Sequence, residues 1–518
     1  MESSKYKPYL TEILTLLLYA GFLLLVMLYH EPWFDEAQAW MIAKDSCFIT
    51  LIKSVTHYEG NPPIWFIALM PIAKSGVPFE IGIKTVNYVI QVSAMGILIF
   101  KAPFKRIIKC TIPFTYFFFY QYGVISRPYS LMVIGFVLLA IFYKNRYKKP
   151  YFFVFAMILI CSSSAFGMVI SAGITLSWLY DIFRGTEISY KFCEFIRSNI
   201  FISLLLLLAY NIILVFCIYP FPGTYGISVF GNDEKIVRMA YMFLIAPADA
   251  LFTNSAVGVA NSSINLNLFI SIILSSLLNL IMIILTKQHK KLSLFLIPFT
   301  LFALFSTNIY FWNHHVGIIT MFYLFTLWCC EEDKSNKVQF HKFIKCTGIL
   351  LLGTAITISI YWTAAASVND IKLNYGTGRE AARFIKDNNL SELNIVAAWK
   401  TENNRYDYNF LLGVSMLPYF HNNIIANLNI QRNNAGYLSH QVDPLGRETV
   451  QLIKDSCPEI LISTSDPNYT FGHLINMEDF ILIKTIKGYN IWKDKILYND
   501  LMIYIRKDIL YKYPIAIN

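Results

Sequence analysis

Long apolar stretches separated by short charged segments constrain this chain more than any other feature. The hydrocarbon core of a bilayer is about 30 Å thick and an α-helix rises about 1.5 Å per residue, so roughly 20 apolar residues cross it. The four candidates between residues 110 and 183 are short, which leaves tilt or partial insertion open for them. We predict eleven spans, near residues 9–29, 80–100, 110–126, 128–143, 150–166, 167–183, 199–219, 263–286, 291–309, 316–330 and 343–365.

Composition supports a membrane protein. Hydrophobic residues make up 56% of the 518 residues, aromatic residues 16% and charged residues only 15%, whereas ordinary soluble domains carry about 25% charge. These figures exclude an ordinary soluble domain, a disordered chain, a collagen, a coiled coil and a disulfide-rich secreted fold. No CxxC spacing occurs, so a zinc site is not indicated.

The distribution of charge predicts the topology. Residues 366–518 are balanced, with 16 basic and 16 acidic side chains, so the whole excess of +10 lies in the apolar part. A nucleic-acid binder would concentrate it on a folded basic face, so we expect no nucleic-acid partner. The segments assigned to the cytoplasm contain 20 Lys and Arg residues, and the external loops before residue 366 contain six. By the positive-inside rule, the amino end is cytoplasmic and the carboxyl end is outside.

The chain divides into two predicted domains. Residues 1–365 form a transmembrane domain with external loops 30–79 and 220–262, the second of which suits an interfacial helix or lid. The first span lacks a small-residue cleavage site and is expected to stay as an anchor. Residues 366–518 predict a small extracytoplasmic α/β domain. Its expected helices are 379–388 and 447–456, and its expected strands are 393–399, 459–463, 480–489 and 501–506.

The loop after the first span carries the main candidates for chemistry. Asp35 and Glu36 lie among aromatic residues just outside the predicted membrane. A carboxylate at a lipid boundary loses hydration and gains basicity, and boundary charges are functional candidates. A solvated loop with an interfacial aromatic belt is the alternative. The same topology places Cys47 and Cys457 outside, where they could pair.

Three short motifs resemble the GT-C class of membrane glycosyltransferases, in particular the protein-mannosyltransferase-like group that includes aminoarabinose transferases. That group has an Asp-Glu pair after its first span, matched by Asp35-Glu36, and then Pro-Pro with aromatic residues, matched by Pro62–Phe66. The segment Ser126–Leu131 resembles its Arg-x-Tyr-x-Leu element. In topology the resemblance covers roughly residues 10–330. Many relatives have His before Pro-Pro, where this chain has Asn61.

The resemblance implies a polytopic α-helical GT-C-like enzyme of the plasma (inner) membrane. It would transfer a sugar from a polyprenyl-phosphate donor to a lipid, glycan or protein acceptor at the outer face. One carboxylate can accept the proton of the acceptor hydroxyl, and the phosphate leaving group needs no acid, whereas glycoside hydrolysis generally uses two carboxylates. We expect Asp35 to be the base, with inversion. Glu36 points about 100° away and would orient donor or acceptor.

Basic residues near the outer face are candidates for binding the donor phosphate. Arg127 suits this role because a guanidinium can bind phosphate oxygens through two parallel hydrogen bonds; an Arg snorkelling to the interface is the alternative. The resemblance also implies phosphate contact for His314 and His315, with interface packing or a metal as alternatives. Further candidates for orienting substrate are His57, Glu59, Asn61 and Tyr129.

Other readings stay open at this point. Asp35, His57 and Glu59 could assemble a divalent-cation site, but this branch of the class generally needs no metal, so we expect no cofactor. A transporter or flippase for a lipid-linked or polar substrate is the main functional alternative, although no related halves are evident. A third reading is a non-catalytic assembly protein whose outer domain binds a partner.

Overall fold

The structure is a computed structural model. It describes residues 9–185, 192–221, 232–254, 266–309, 311–332, 342–397, 411–427, 437, 453–463, 467–472, 474–513 and 515. The described chain is mostly helical, with a small sheet region in its carboxyl-terminal part.

The helices are numbered in chain order. Helices α1 to α10 are Leu10–Tyr29, Phe34–Asp45, Phe48–Thr50, Thr56–Glu59, Ile64–Ala73, Phe79–Lys101, Arg106–Thr111, Tyr129–Tyr143, Pro150–Cys161 and Ala165–Arg184. Helices α11 to α21 are Phe192–Ile196, Asn199–Ile218, Asn232–Leu244, Ala246–Leu251, Leu266–Gln288, Leu292–Asn308, Val316–Glu332, Lys342–Lys372, Gly378–Asp387, Leu411–Met416 and Pro467–Phe471. Two π-helices, Leu51–Val55 and Phe117–Val124, interrupt the α-helical series.

Six of these helices are long and apolar enough to cross a membrane: α1, α6, α10, α12, α15 and α18. They coincide with the spans predicted near 9–29, 80–100, 167–183, 199–219, 263–286 and 343–365. Large apolar side chains cover their outer faces, such as Leu17 of α1 and Phe216 of α12, which are 64% and 72% exposed. Faces of this kind suit a lipid surrounding rather than water.

The remaining predicted spans are shorter or broken. Helices α8, α9 and α16 are apolar but shorter than 18 residues. The segment predicted as a span at 110–126 is not one helix, because α7 ends at Thr111 and is followed by the 3₁₀ turn Ile112–Phe114 and the π-helix Phe117–Val124. Pro113 lies at this break and has no N–H to continue an α-helical ladder. The count of eleven spans stays a prediction.

Charged side chains gather at the two ends of the long helices. At the start of α1, the buried carboxylate of Glu12 pairs with Arg106 at 3.0 Å and with Lys109 at 3.2 Å. At the other end, His30 directly follows α1 and is fully buried among acidic groups. The loops that the sequence assigned to opposite sides therefore lie at opposite ends of α1.

The carboxyl-terminal part contains a four-stranded sheet and a separate hairpin. The sheet order is β1-β2-β6-β3, with β1 parallel to β2 and the other pairs antiparallel. Its strands confirm the predicted ones with small shifts at their ends, and α19 matches the predicted helix 379–388. The predicted helix 447–456 lies largely outside the described residues. Strands β1 to β6 are Ile395–Ala397, Ile460–Ser463, Phe480–Ile486, Tyr489–Trp492, Lys495–Tyr498 and Leu501–Arg506.

This sheet region packs directly on the loop after α1. One apolar core joins α2 and α5 to the sheet, with Trp40 and Leu69 on one side and Leu461 and Ile503 on the other. Helix α18 runs past residue 365, the predicted domain boundary, and ends at Lys372. The loop that carries Asp35 is therefore held between the long helices and the sheet region.

The hairpin β4–β5 inserts its tip among the helices. Lys493, at the turn, is fully buried and donates to the carbonyls of Asp249 and Thr253 at the end of α14. Its Nζ lies 4.0 Å from the ring centroid of Trp362 on α18. Burial lowers the pKa of Lys493 to about 7, although the nearby Asp249 opposes this shift. The hairpin therefore fastens the sheet region to the helices.

The other predicted features of the external loops have mixed outcomes. Helices α13 and α14 occupy the described part of loop 220–262, and α13 exposes Ile236 and Val237 on an amphipathic helix. Residues 222–231 and 255–265 of that loop and its border lie outside the described residues. Cys47 and Cys457 are free and exposed in the structure, so the proposed pairing is not present.

Candidate active site

Asp35 and Arg127 form an ion pair at the end of the helices where the sheet region packs. The Nη2 atom of Arg127 lies 2.8 Å from Oδ2 of Asp35. The side chain of Asp35 is 36% exposed and that of Arg127 is 17% exposed. Burial alone would lower the pKa of Arg127, but the carboxylate of Asp35 raises it, so the guanidinium stays charged. The pair thus combines an accessible carboxylate with a permanent cation.

Glu36 has a different environment from its neighbour. Its side chain is fully buried and accepts hydrogen bonds from the backbone N–H of Trp33 at 2.8 Å and of Ser126 at 2.7 Å. The first bond caps the start of α2, and the second fixes the residue that precedes Arg127. Burial alone would raise the pKa of Glu36, but His30 and these N–H donors lower it. The Glu36 carboxylate is therefore ionised and ties the two members of the Asp35–Arg127 pair together.

His30 contacts the buried carboxylate of Glu36. Its Nε2 lies 3.1 Å from Glu36 and its Nδ1 lies 2.8 Å from Asp370 of α18. Tyr120 of the π-helix also donates to Asp370, at 3.0 Å. Burial alone would lower the pKa of His30, but the carboxylates of Asp370 and Glu36 raise it to about 9. Near pH 7 the imidazole is protonated and donates from both nitrogens.

An aromatic wall borders the guanidinium. Arg127 lies 5.5 Å from the ring centroid of Tyr129, and that ring lies 5.7 Å from His314 and 6.0 Å from His315. His315 accepts from the backbone N–H of Trp312 through Nδ1 at 2.8 Å, which leaves its proton on Nε2. Burial lowers the pKa of both histidines, and Arg127 adds to this shift. Near pH 7 they are neutral N–H donors instead of cations.

The structure thus brings together Asp35, Glu36, Arg127, Tyr129, His314 and His315, but His57, Glu59 and Asn61 lie beside this cluster. His57 Nδ1 contacts the carbonyl of Tyr219 at 2.6 Å, and its ring stacks on Phe221. Glu59 accepts from Gln38, one helical turn after Asp35, at 3.0 Å. These contacts give His57 and Glu59 structural partners, and their role toward substrate stays a prediction.

The described residues do not bring three His, Cys, Asp or Glu side chains into a group that could hold a metal ion. The suggested set of Asp35, His57 and Glu59 is occupied by other contacts: Asp35 pairs with Arg127, His57 packs on Phe221 and Glu59 binds Gln38. Adjacent His314 and His315 lie 4.0 Å apart, centroid to centroid, against aromatic rings. These contacts suit packing and hydrogen bonding.

Two functional candidates escaped the sequence reasoning. His30 lies in the loop after the first span, but its partner Asp370 is 340 residues away in the chain, and no local pattern joins them. The only local signal for Asp370 is an acidic residue at the end of an apolar span. Intramembrane and boundary acids are functional candidates in general, and that rule would have pointed to it.

The chain matches no protein-family model. No curated protein aligns with it significantly. The resemblance of its motifs to the GT-C class therefore stays a prediction.

Proposed function

We propose that this protein is an integral membrane glycosyltransferase of the GT-C type. It moves a sugar from a polyprenyl-phosphate donor to a hydroxyl of a lipid, glycan or protein acceptor. The observation that carries the proposal is the Asp35–Arg127 pair, in which a part-exposed carboxylate lies 2.8 Å from a guanidinium at the end of membrane-length helices. A base and a phosphate-binding cation are the two groups that this transfer requires.

In the proposed step, Asp35 accepts the proton of the acceptor hydroxyl. The hydroxyl oxygen forms the new bond to the anomeric carbon as the bond from that carbon to the phosphate oxygen breaks. The electron pair of the broken bond leaves with the polyprenyl phosphate, which needs no proton at neutral pH. Attack from the face opposite the phosphate inverts the anomeric configuration, and a single general base is sufficient.

Arg127 is the proposed ligand of the donor phosphate. A guanidinium carries five N–H groups in a planar fork, and its contact with Asp35 involves one of the terminal nitrogens. A phosphate can therefore bind the fork while Asp35 keeps one contact or exchanges it. The neutral imidazoles of His314 and His315, across the ring of Tyr129, can add N–H donors to phosphate or sugar oxygens.

The proposal includes an orientation in the plasma (inner) membrane. Twenty basic residues lie in the segments assigned to the cytoplasm, so the amino end is proposed to be cytoplasmic. The end of α1 that carries His30, Asp35 and the sheet region is then extracytoplasmic. Donor and acceptor would meet at that outer border, with a GT-C-like arrangement of about eleven spans.

The test is transfer by the purified full-length protein in lipid nanodiscs. A panel of polyprenyl-phosphate sugars is incubated with a membrane and glycan extract, and the products are identified by mass spectrometry. We expect a glycosylated product with inverted linkage. Asp35→Asn should lower kcat at least about 100-fold, the usual contribution of a general base. Asp45→Asn, the same change at an exposed position on the same helix, should retain activity.

Two outcomes would contradict the proposal. The first is turnover by Asp35→Asn equal to that of the wild type. The second is movement of an intact donor lipid across the membrane of sealed vesicles with no new glycosidic bond, which would favour the transporter or flippase reading.

A further inference from the structure

The spacing of the Asp35–Arg127 pair depends on one buried bridge. Glu36 follows Asp35 in the chain, and its Oε1 accepts from the N–H of Ser126, the residue before Arg127, at 2.7 Å. Its Oε2 accepts from Trp33 at 2.8 Å and contacts His30 at 3.1 Å. Asp35 is thus the chain neighbour of Glu36, and Arg127 is the chain neighbour of Ser126, which donates to the Glu36 carboxylate. Whatever orients Glu36 also sets the geometry of the pair.

His30 is the cation that orients this carboxylate. Its side chain is fully buried between Glu36 and Asp370, which are both buried too. Two buried carboxylates on opposite sides of one ring need a positive charge between them, because a buried unpaired charge costs several kcal/mol. The imidazolium supplies that charge and one N–H for each carboxylate. A neutral imidazole has a single N–H and could donate to only one of them, so the other carboxylate would face an unprotonated ring nitrogen.

We propose that His30 is a positioning residue for the transfer reaction: its imidazolium, clamped between Glu36 and Asp370, fixes the Glu36–Ser126 bridge and so the spacing of Asp35 and Arg127. This role rests on the proposed function. His30 does not itself contact the substrate. It acts through Glu36, and Asp370 anchors it to α18.

Other charged and titratable groups in the described part of the chain also lie around His30. The ring of Tyr375 lies 4.7 Å from the imidazole, and burial raises the pKa of Tyr375 well above its usual value. Tyr120 contacts Asp370. Lys84 and Arg379 both donate to the backbone carbonyl of His30. The groups that face His30 from the packed elements are Glu36 of α2, Asp370 of α18, Tyr120 of the π-helix, Tyr375, Lys84 of α6, Arg379 of α19 and the neighbouring Glu31.

The proposal predicts a pH dependence with a definite sign. The pKa of His30 is raised to about 9 by its carboxylate partners against the effect of burial. The clamped geometry is therefore present below that pH and is lost as pH rises through it. Transfer should fall on the alkaline side near pH 9. Removing the charge of Asp370 should move this fall to lower pH, because one of the two anions that stabilise the imidazolium is gone.

The experiment measures kcat between pH 6 and pH 10.5 for the wild type, Asp370→Asn and His30→Gln. We expect the alkaline fall of Asp370→Asn to lie at least about one pH unit below that of the wild type. A Gln amide can donate two hydrogen bonds without titrating, so His30→Gln should be about 10- to 100-fold slower and should lack this fall. An alkaline fall at the same pH in all three proteins would overturn the proposal.

A second measurement does not depend on transfer. The melting temperatures of the wild type and His30→Gln are compared across the same pH range, so that contributions of other titrating groups cancel. Their difference should be largest below about pH 6.5, the ordinary pKa of histidine, and should shrink as pH rises from there to about 9, whereas the exposed control His421→Gln should show no such trend. A constant difference would count against His30. If no sugar is transferred at all, the proposed function fails. The melting temperatures would still show whether protonated His30 stabilises the structure between Glu36 and Asp370.

His30→Gln could also fail to fold. In that case Asp370→Asn decides, since it replaces a carboxylate with an amide of nearly the same shape. If the two carboxylates stabilise the protonated His30, the alkaline loss of kcat in Asp370→Asn must occur at lower pH than in the wild type. A loss at the same pH would contradict the proposal.

Discussion

At the scale of single residues, two adjacent acids have opposite surroundings. Asp35 is part-exposed beside Arg127, while Glu36 is fully buried and binds backbone N–H groups and His30. The roughly 100° between successive helical residues accounts for this difference. Glu36 is placed to orient Asp35 and Arg127, and its predicted role toward donor or acceptor stays a prediction. A part-exposed carboxylate and a buried one are thus separated by one position in the chain.

The role of Arg127 predicts a specific kinetic change. Arg127→Lys keeps the charge but replaces the planar fork with a point charge. We expect the KM for the polyprenyl-phosphate donor to rise about 10-fold or more, because a hydrogen bond to a charged group contributes about 1.5–3 kcal/mol. The KM for the acceptor and kcat should change less. Initial rates at varied donor concentration measure this.

Arg383→Lys is the matched control, since Arg383 is exposed on α19. Unchanged donor kinetics in Arg127→Lys would remove Arg127 as the phosphate ligand and leave it as the structural partner of Asp35.

The sequence predicts Asp35, Glu36 and Arg127 but not the buried pair of His30 and Asp370 that supports Glu36. Asp35 and Arg127 stand out because each is a charged residue at the border of an apolar stretch. The contact of His30 with Asp370 joins residues 340 positions apart, and only the packing of α18 against the start of the chain creates it. Burial also makes His314 and His315 neutral, a property that residue identity does not reveal.

At the scale of elements, the π-helix Phe117–Val124 is central. All eight of its residues are buried. Tyr120 donates to Asp370, and Tyr122 donates to the carbonyl of His314 at 2.6 Å. The π-helix therefore contacts both the His30 clamp and the wall beside Arg127. Single π-helical turns are rare and are often found at functional sites.

A glycine on α17 makes room for this π-helix. A Cβ at Gly317 would collide with the ring of Phe117 and the hydroxyl of Tyr122. Gly317→Ala should therefore destabilise the protein by about 1–3 kcal/mol, the usual cost of overpacking. Because Tyr122 holds His314, transfer should fall as well. Thermal unfolding and the transfer assay measure the two effects.

Gly348→Ala is the corresponding control. No atom lies within 4 Å of a Cβ at Gly348 of α18, so alanine should be neutral or stabilise the helix by up to about 1 kcal/mol. Equal stability of the two variants would mean that the π-helix adapts at little cost.

Hydropathy predicts the bounds of the long helices and of the shorter α8, α16 and α17 well, and it fails at residues 110–126. The six long spans follow from about 20 consecutive apolar residues, a signal that few other structures produce. The predicted span at 110–126 is also apolar and aromatic, but it folds as short helical pieces around Pro113. Its aromatic side chains pack inward on other elements, and that tertiary packing overrides the local pattern. The hairpin β4–β5 was not predicted separately either, since its short strands continue the alternating pattern of their neighbours.

At the scale of the whole molecule, the sheet region and the helices form one body. Trp492, at the end of β4, donates to Asn254 at 2.8 Å, and the N–H of Lys493 donates to Tyr116 at 2.9 Å. On the other side of the region, Arg379 of α19 binds both carboxylate oxygens of Glu80 on α6 at 2.7 and 2.8 Å. These contacts hold the sheet region at two separate points.

The buried Lys493 at the hairpin tip is expected to stabilise the packing of the sheet region against the helices. Lys493→Glu places an acceptor against the carbonyls of Asp249 and Thr253. We expect a loss of at least about 3 kcal/mol, similar to breaking a buried charge interaction, together with faster cleavage of the sheet region by protease. Limited proteolysis and thermal unfolding in nanodiscs measure this.

Lys495→Glu changes the charge of an exposed lysine on the same hairpin, whose Nζ donates to Asn254. It should cost less than about 1 kcal/mol. Equal protease resistance of Lys493→Glu and the wild type would show that Lys493 does not stabilise the packing of the hairpin against the helices.

The insertion of this tip has a consequence for biosynthesis. The ribosome delivers α1, with Asp35 just behind it, long before Lys493. The early helices can enter the bilayer one by one, but the site between α14 and α18 that Lys493 occupies stays incomplete until the hairpin has been made and folded. A partly synthesised chain would thus carry Asp35 before the elements that surround it have all been made. The surroundings of Asp35 should therefore reach their final form only after the carboxyl-terminal part of the chain has folded.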